Sequence, residues 1–367
     1  MNIGVPKEIK KHEYRVGMTP HCVRTYVSHG HTVFIETGAG LGSGYGDEEY
    51  LKNGGQVLDS APPVFERAEM VVKVKEPLPD EYPLLKDGQI LYTYLHLAAN
   101  RELAQALLDR RVTSIAYETI ELPDHSLPCL TPMSEIAGRL SVQEGAKYLE
   151  KEFGGRGILL GGVPGVPRGN VAILGGGIVG TNACKIAVGI GANVTILDVN
   201  ARRLAYLDDI FGSSITTLYA TEANIDHVVE EADILIGAVL LPGESTPKLI
   251  RREHLKRMKP GAVLVDVAID QGGCAETSRP TTHDQPIYIV DEVVHYCVAN
   301  MPGAVARSST IALTSVTLAY GLLIADLGLD NALRNHSPIR TGLNTYQGKC
   351  THQGVAKSCN LPYSQLP

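Results

Sequence analysis

Apolar positions along the chain fall into short runs rich in β-branched and aromatic residues, separated by stretches with helical spacing. Strand-like runs occur at residues 2–5, 32–36, 70–74, 89–95 and 112–118, with helical patterns between them, as at 21–28 and 100–110. Pro20 suits the first turn of a helix, and the polar loop 12–20 before it presents Arg15. Strands alternating with helices predict a mostly parallel sheet with helices on its faces. A long helix is predicted over 133–153, with Ser134 at its start beside free backbone N–H groups. After the Gly- and Pro-rich loop 154–170 the alternation resumes. Strands fit 171–174, 193–197, 215–219, 234–240, 262–269 and 287–290, with helices near 202–210, 222–231 and 247–257. Six such strands with right-handed crossovers make a doubly wound domain. A second long helix, about 304–327, returns toward the first domain. The segment 341–367 has no periodicity and reads as an exchanged arm or a loose tail.

The second domain opens on a run with a specific chemistry. Val171 to Leu174 leads into Gly175-Gly176-Gly177-Ile178-Val179-Gly180, a helical pattern follows, and the next strand ends in Asp198. A bare G-x-G-x-x-G is a weak signal. Set between a strand and a helix, with an acid closing the following strand, it predicts a dinucleotide site. Gly175 permits the tight turn, Gly177 lets backbone approach a pyrophosphate, and Gly180 lets helix and strand pack. The helix N-terminus offers N–H groups and a positive dipole end. Asp198 can accept from an adenosine ribose and would repel a 2′-phosphate, so NAD is expected over NADP, although Arg202 and Arg203 lie close by. Ligands in such sheets bind beyond the carboxyl ends of the strands, which singles out Val239, Leu240 and the stretch Val267, Ala268, Ile269, Asp270. The Gly-rich segment 38–46 lacks this strand-to-helix setting and is not read as a second nucleotide site.

Bulk properties narrow the function classes. The chain has 367 residues, which predicts about two domains. Net charge is −7 without a basic cluster, so nucleic acid is not expected as a partner. The N-terminus has no apolar segment of signal-peptide type, and the run Ile311 to Ala325 is short and rich in Ser and Thr for a membrane span. The seven cysteines are scattered and odd in number, which fits free thiols in a reducing cytoplasm rather than disulfides or a zinc site. His29 and His31 read as a solvated turn, and no metal site is expected.

Reaction chemistry must come from groups facing the nucleotide. Asp270 follows an apolar strand and precedes glycines. That position reaches a ligand, and it equally suits an ordinary turn. His96 closes the run LYTYLHLAA, where it could act as an acid/base or sit as a satisfied core histidine. Lys75 leaves its strand at Pro77 and could bind a carboxylate or a carbonyl oxygen, or be solvated. Arg15 could bind a carboxylate bidentately or lie on the surface.

These residues sit in longer motifs. GVPKEIK at 4–10, RVGMTP at 15–20, VKVKEP at 72–77, TYLHLA at 93–98, ILGGGIVG at 173–180, DVAIDQGG at 266–273 and NMPGAVARSST at 300–310 together resemble the bacterial L-alanine dehydrogenase family, within the alanine dehydrogenase/transhydrogenase group. The resemblance runs to about residue 340. It implies an α/β fold of two Rossmann-like doubly wound domains flanking a cleft and joined by long helices. The discontinuous substrate domain would be 1–130 plus 305–367, and the NAD-binding domain 131–304. It implies reversible NAD-dependent oxidative deamination of L-alanine to pyruvate and ammonium by a homo-oligomer, a hexamer; the cysteine pattern adds a cytoplasmic location, and the lack of membrane spans speaks against a membrane partner. In that pattern Arg15 and Lys75 hold the substrate, His96 is the acid/base, and Asp270 contacts the nicotinamide side and positions water. Ser134, Ile178, Val179, Asp198, Arg203, Val239, Leu240, Val267 to Asp270, and Val298, Ala299, Asn300 and Met301 match cofactor-contacting positions. Arg203 stands where relatives often have Lys. Ala220 stands where some carry a Ser, which leaves that contact in doubt. Competing readings are the nucleotide-binding part of a proton-translocating transhydrogenase, a saccharopine dehydrogenase and a non-catalytic NAD sensor.

Overall fold

The computed structural model describes residues 1–239 and 246–365. The chain divides into two compact units, Met1–Met133 with Gly303–Pro367, and Ser134–Pro302. Among the described residues the strands are, in chain order, β1 Asn2–Val5, β2 Thr32–Glu36, β3 Gln56–Leu58, β4 Met70–Val72, β5 Ile90–Thr93 and β6 Thr113–Ala116. Then come β7 Asn170–Leu174, β8 Asn193–Asp198, β9 Ile215–Tyr219, β10 Ile234–Gly237, β11 Val263–Asp266, β12 Ile287–Val290 and β13 Val293–Tyr296. Two last strands, β14 Leu343–Tyr346 and β15 Lys349–Cys350, return to the first unit.

The first unit is built on a sheet of order β15-β14-β6-β5-β4-β1-β2-β3. Six strands are parallel, and β14 and β15 add an antiparallel edge. The parallel strands are apolar on both faces, as burial under helices on both sides requires. Phe65, Leu91, Leu103 and Leu107 pack together in this core. The second unit has the order β12-β13-β11-β10-β7-β8-β9. Its β12 is antiparallel and the rest are parallel. The crossover point lies between β7 and β10, where the order reverses and a ligand crevice opens in sheets of this kind. Val229, Leu235, Ile250, Leu255 and Leu264 fill one of its cores.

Several expectations are corrected. The segment after 341 is neither loose nor an exchanged arm. Strand β14 pairs with β6, and the helix Gln353–Cys359 buries Val355, Ala356 and Cys359 against the first core. Its strands are short, and their apolar positions make sense only beside β6. The predicted helix 247–257 shrinks to Arg252–Leu255. The predicted strand 262–269 stops at Asp266, and Val267–Gln271 is a 3-10 turn. The first long helix is Thr131–Tyr148, followed by a separate turn at Lys151–Phe153. The second is Ala306–Leu327. It is long and apolar enough by composition to cross a membrane, yet it buries Leu313, Ile324 and Ala325 within the first unit. Its Thr314 and Thr317 hydroxyls bond back to the helix's own carbonyls. His29 and His31 are not simply solvated: both rings bond Asp326, and the His31 side chain is only 7% exposed.

Candidate active site

In the second unit the glycine loop is defined by hard contacts. Gly175 has φ +103, and a Cβ there would lie 2.7 Å from the Ala238 carbonyl oxygen. The end of β10, with half-buried Val239, therefore lies directly against this turn. Gly180 sits one helical turn on, where a Cβ would fall 1.9 Å from the Gly175 carbonyl oxygen. At Gly177 a Cβ would meet nothing within 4 Å. Gly177 precedes the helix Ile178–Ile190, and no side chain caps that N-terminus. Ile178 is 43% exposed beside it. A loop open at Gly177, closed at Gly175 and Gly180, and ending in uncapped N–H groups has the backbone access and the positive dipole end that suit a pyrophosphate.

Asp198 closes β8 with both oxygens engaged. Oδ2 accepts from Gly176 N at 2.6 Å and Oδ1 from Asn200 N at 2.8 Å. Asn200 caps the next helix through Arg202 N and Arg203 N. The Arg203 guanidinium returns to donate to the Gly176 carbonyl and the Thr181 hydroxyl. Asp198, Gly176, Asn200 and Arg203 thus form one circuit around the glycine loop. Arg203 is committed to this circuit, and Asp198 keeps lone pairs for ribose hydroxyls. The residues fit NAD, and they leave a 2′-phosphate facing a carboxylate.

Asp270 is exposed on the 3-10 turn after β11, four residues beyond the strand's end rather than at it. The residue that builds this loop is Asp266, which is fully buried. Its Oδ1 accepts from Ala268 N at 3.2 Å. Its Oδ2 accepts from Cys274 N at 2.8 Å, Ala275 N at 3.3 Å and the Ser278 hydroxyl. A strand-like run masks Asp266 in the sequence. Its role emerges only when residues 274–278 fold back onto it. Val298 is buried and bridges to Thr281, and Ala299 N donates to Thr281 O. Asn300 has φ +65 and accepts through its carbonyl from the His283 ring, and Met301 is buried. Ser134 lies half-buried in the first turn of Thr131–Tyr148. That helix meets the dinucleotide helix closely, since a Cβ at Gly138 would lie 2.2 Å from the Val179 carbonyl oxygen. Leu240 lies outside the described residues.

In the first unit Arg15 is buried, 2% exposed, not on the surface. Its Nε and one terminal nitrogen donate to the two Glu13 oxygens at 2.7 and 2.6 Å, and the other terminal nitrogen faces Met133 Sδ. The fork edge used by Glu13 is closed to a ligand. Burial opposes the guanidinium's charge, and the Glu13 pair outweighs it, so Arg15 is held above its ordinary pKa.

Lys75 lies three residues past β4. Burial first, then the neighbouring Arg15 charge, holds its ammonium below the ordinary lysine value. Among the described residues its Nζ makes no hydrogen bond or ion pair. Its backbone is pinned instead: Glu8 Oε1 accepts from Val74 N at 2.6 Å and Lys75 N at 3.2 Å. Glu8 Oε2 and Glu81 Oε1 hold the fully buried Lys73 ammonium at 3.1 and 2.8 Å. Residues 73 and 75 would share a face in a regular strand, but β4 ends at Val72, and past it only Lys73 enters this triad.

His96 lies past β5 with φ +49 and ψ 35, a left-handed conformation unusual for a side-chain-bearing residue. Its exposed ring stacks on buried Tyr94, 5.9 Å between centroids at 12°. Glu118 accepts from the backbone N–H groups of Leu95 and His96. Glu13, Glu8, Glu118 and Asp266 were not singled out from the sequence, where each is one more polar residue in a loop or strand.

Family comparisons agree along the whole chain. The alanine dehydrogenase/PNT N-terminal domain model matches residues 4–137 and the C-terminal domain model residues 141–353. The chain is 60% identical to an alanine dehydrogenase of Methanococcus maripaludis over 365 residues, 99% of this chain and 98% of that one. It is 54% identical to an alanine dehydrogenase of Staphylococcus haemolyticus, covering 100% of this chain and 98% of that one. A solved L-alanine dehydrogenase superimposes with TM-score 0.95 at 56% identity, covering 98% of this chain and 99% of the other. A transhydrogenase of Sinorhizobium meliloti shares the fold alone, at TM-score 0.83 and 24% identity over 96% of this chain and 99% of the other. With both domain models in order and such identity over nearly its full length, this chain belongs to the alanine dehydrogenase/PNT family.

Proposed function

We propose that this chain is an NAD-dependent L-alanine dehydrogenase. It converts L-alanine, NAD⁺ and water to pyruvate, ammonium, NADH and a proton, and runs in reverse. The observation that carries the reading is the pairing of two neighbouring cations in the first unit. Arg15 already has Glu13, while among the described residues Lys75 has no counter-ion within bonding distance, and burial and then Arg15 disfavour its charge. Such a place gains most from a small carboxylate. The alanine dehydrogenases that match this chain at 54–60% identity support the same substrate.

In this reading the first unit takes the amino acid and the second takes NAD. Bound NAD⁺ supplies the hydride acceptor for Cα. The chain's own residues do the rest. Arg15 and Lys75 orient the carboxylate and the developing carbonyl oxygen, and the Lys75 ammonium stabilises negative charge there. His96, with its ring exposed, accepts a proton as water adds to the imine and returns one as ammonia leaves. Asp270 takes the nicotinamide ribose side and positions that water. Asp198 takes the adenosine ribose. Ser134, Ile178, Val179, Arg203, Val239, Leu240, Val267, Ala268, Ile269, Val298, Ala299, Asn300 and Met301 complete the cofactor contacts. We also propose a homohexamer, from the family resemblance, and a cytoplasmic location, which the seven unpaired buried cysteines support.

The test is His96→Ala. It is expected to bind NADH as the parent does and to lose at least about 100-fold in kcat, the scale of a general acid/base contribution. A variant with near-parental kcat removes His96 from the chemistry.

A further inference from the structure

The mechanism assigns His96 but leaves open what holds it. The strands β5 and β6 run parallel, with Thr93 beside Ala116 at their carboxyl ends. Past those ends the Tyr94 and Tyr117 rings meet edge to face, 5.1 Å between centroids, and His96 adopts the left-handed conformation that non-glycine residues avoid. A carboxylate ties the two backbones together as well. Glu118, in the turn Tyr117–Thr119 after β6, receives the Leu95 N–H at 3.1 Å on Oε1 and 3.2 Å on Oε2. The same Oε1 receives the His96 N–H at 2.6 Å. Two successive amides therefore converge on one carboxylate, an arrangement that suits an anion. On either side the chain is also tied. Tyr94 donates its hydroxyl to the Cys129 carbonyl, and Ala99 N closes a turn onto His96 O.

We infer that Glu118 is a positioning residue for the reaction. It clamps the backbone of residues 95 and 96 so that the His96 ring stays stacked on Tyr94 and presented outward. This rests on the reading of His96 as the acid/base. Glu118 acts only through that histidine. A carboxylate serves better than an amide, because it accepts from both N–H groups and offers no competing donor. Without it, residue 96 relaxes toward ordinary backbone angles and swings the ring off its platform. A displacement of about 1 Å at a reacting group costs on the order of 100-fold in rate.

The experiment compares Glu118→Ala, Glu118→Gln, His96→Ala and the double variant His96→Ala/Glu118→Ala in the full-length enzyme. Glu118→Ala is expected to lower kcat about 10- to 100-fold while KM for alanine and Kd for NADH stay within about threefold. Glu118→Gln, which keeps one acceptor oxygen, recovers part of the loss. In the His96→Ala background, removing Glu118 changes the residual rate little, because both act through one group. Wild-type kcat in Glu118→Ala, with His96→Ala inactive, overturns the positioning role alone. Parallel losses in kcat, KM, NADH binding and thermal midpoint, with no recovery in Glu118→Gln, also overturn it, because that is the signature of general structural damage. If His96→Ala itself turns over normally, the acid/base reading fails first. Should Glu118→Ala not fold, the kcat and KM of Glu118→Gln, and the fold-change it makes in the His96→Ala background, decide the matter.

Discussion

Asp198→Asn is a near-isosteric change at the residue proposed to take the adenosine ribose of NAD. In the parent the carboxylate accepts from Gly176 N at 2.6 Å and from Asn200 N at 2.8 Å. An asparagine side chain has one carbonyl oxygen and one NH₂ group, so it satisfies one of those amides and turns a donor toward the other. Leaving one such N–H unpaired costs about 1–3 kcal/mol. Gly176 is also held by Arg203, so the loop does not collapse, and the loss falls mainly on the ordered cradle. We expect Kd for NADH, by nicotinamide fluorescence titration, to rise about 10- to 100-fold. NADPH responds differently. Removing a carboxylate that a bound 2′-phosphate would face lifts a repulsion on the order of 1–4 kcal/mol, the range for two unit charges in near contact between bulk water and a protein surface. The NADH-to-NADPH preference is therefore expected to fall by more than about tenfold. A variant with its thermal midpoint intact, NADH Kd within about twofold of the parent and an unchanged preference would refute the ribose-reading role.

Two further outcomes follow from the first unit. Lys73→Met leaves Glu8 and Glu81 buried without their shared cation, and is expected to cost about 3–5 kcal/mol in denaturant unfolding; a loss under about 1 kcal/mol would show that the triad relaxes or hydrates freely. Lys75 is held below its ordinary value of 10.5 by burial and by Arg15. Between its folded value and 10.5 the unfolded chain binds more protons, so stability rises with pH through that window. Lys75→Met is expected to flatten this rise in unfolding midpoints measured across that range, and an unchanged slope would place Lys75 in an ordinary solvated setting.

What could be read from the sequence was governed by local constraints. The glycine loop announces itself because two of its glycines answer to close contacts, Gly175 against the Ala238 carbonyl and Gly180 against the Gly175 carbonyl, while Gly177 leaves open space. Alternation of short apolar runs and helical stretches gives the parallel sheets, because buried parallel strands are apolar on both faces. The motifs around Arg15, Lys75, His96 and Asp270 pointed to a family, and the comparisons bear out that family and its fold. The supports of those residues were hidden. Lys73 and Lys75 look alike in VVKVK, and they are separated only by the carboxylates of Glu8, 65 residues away in sequence from Lys73, and Glu81, which both bind the Lys73 ammonium. Glu118 meets His96 across two strand ends. Asp266 sits inside an apolar run that reads as strand, although its carboxylate ends the strand by gathering four donors. The tail after residue 341 carries too few apolar positions to announce β14 until β6 is beside it.

The most direct test of the proposed activity is the appearance of the NADH absorbance band when purified protein is mixed with NAD⁺ and L-alanine at mildly alkaline pH. Other amino acids, and NADP⁺ in place of NAD⁺, would run alongside. The account predicts rapid NADH formation with L-alanine and NAD⁺, and much slower reduction of NADP⁺. Tight NADH binding with no NADH formed from alanine or any other amino acid would contradict it, and would leave a nucleotide-binding protein without the dehydrogenase reaction.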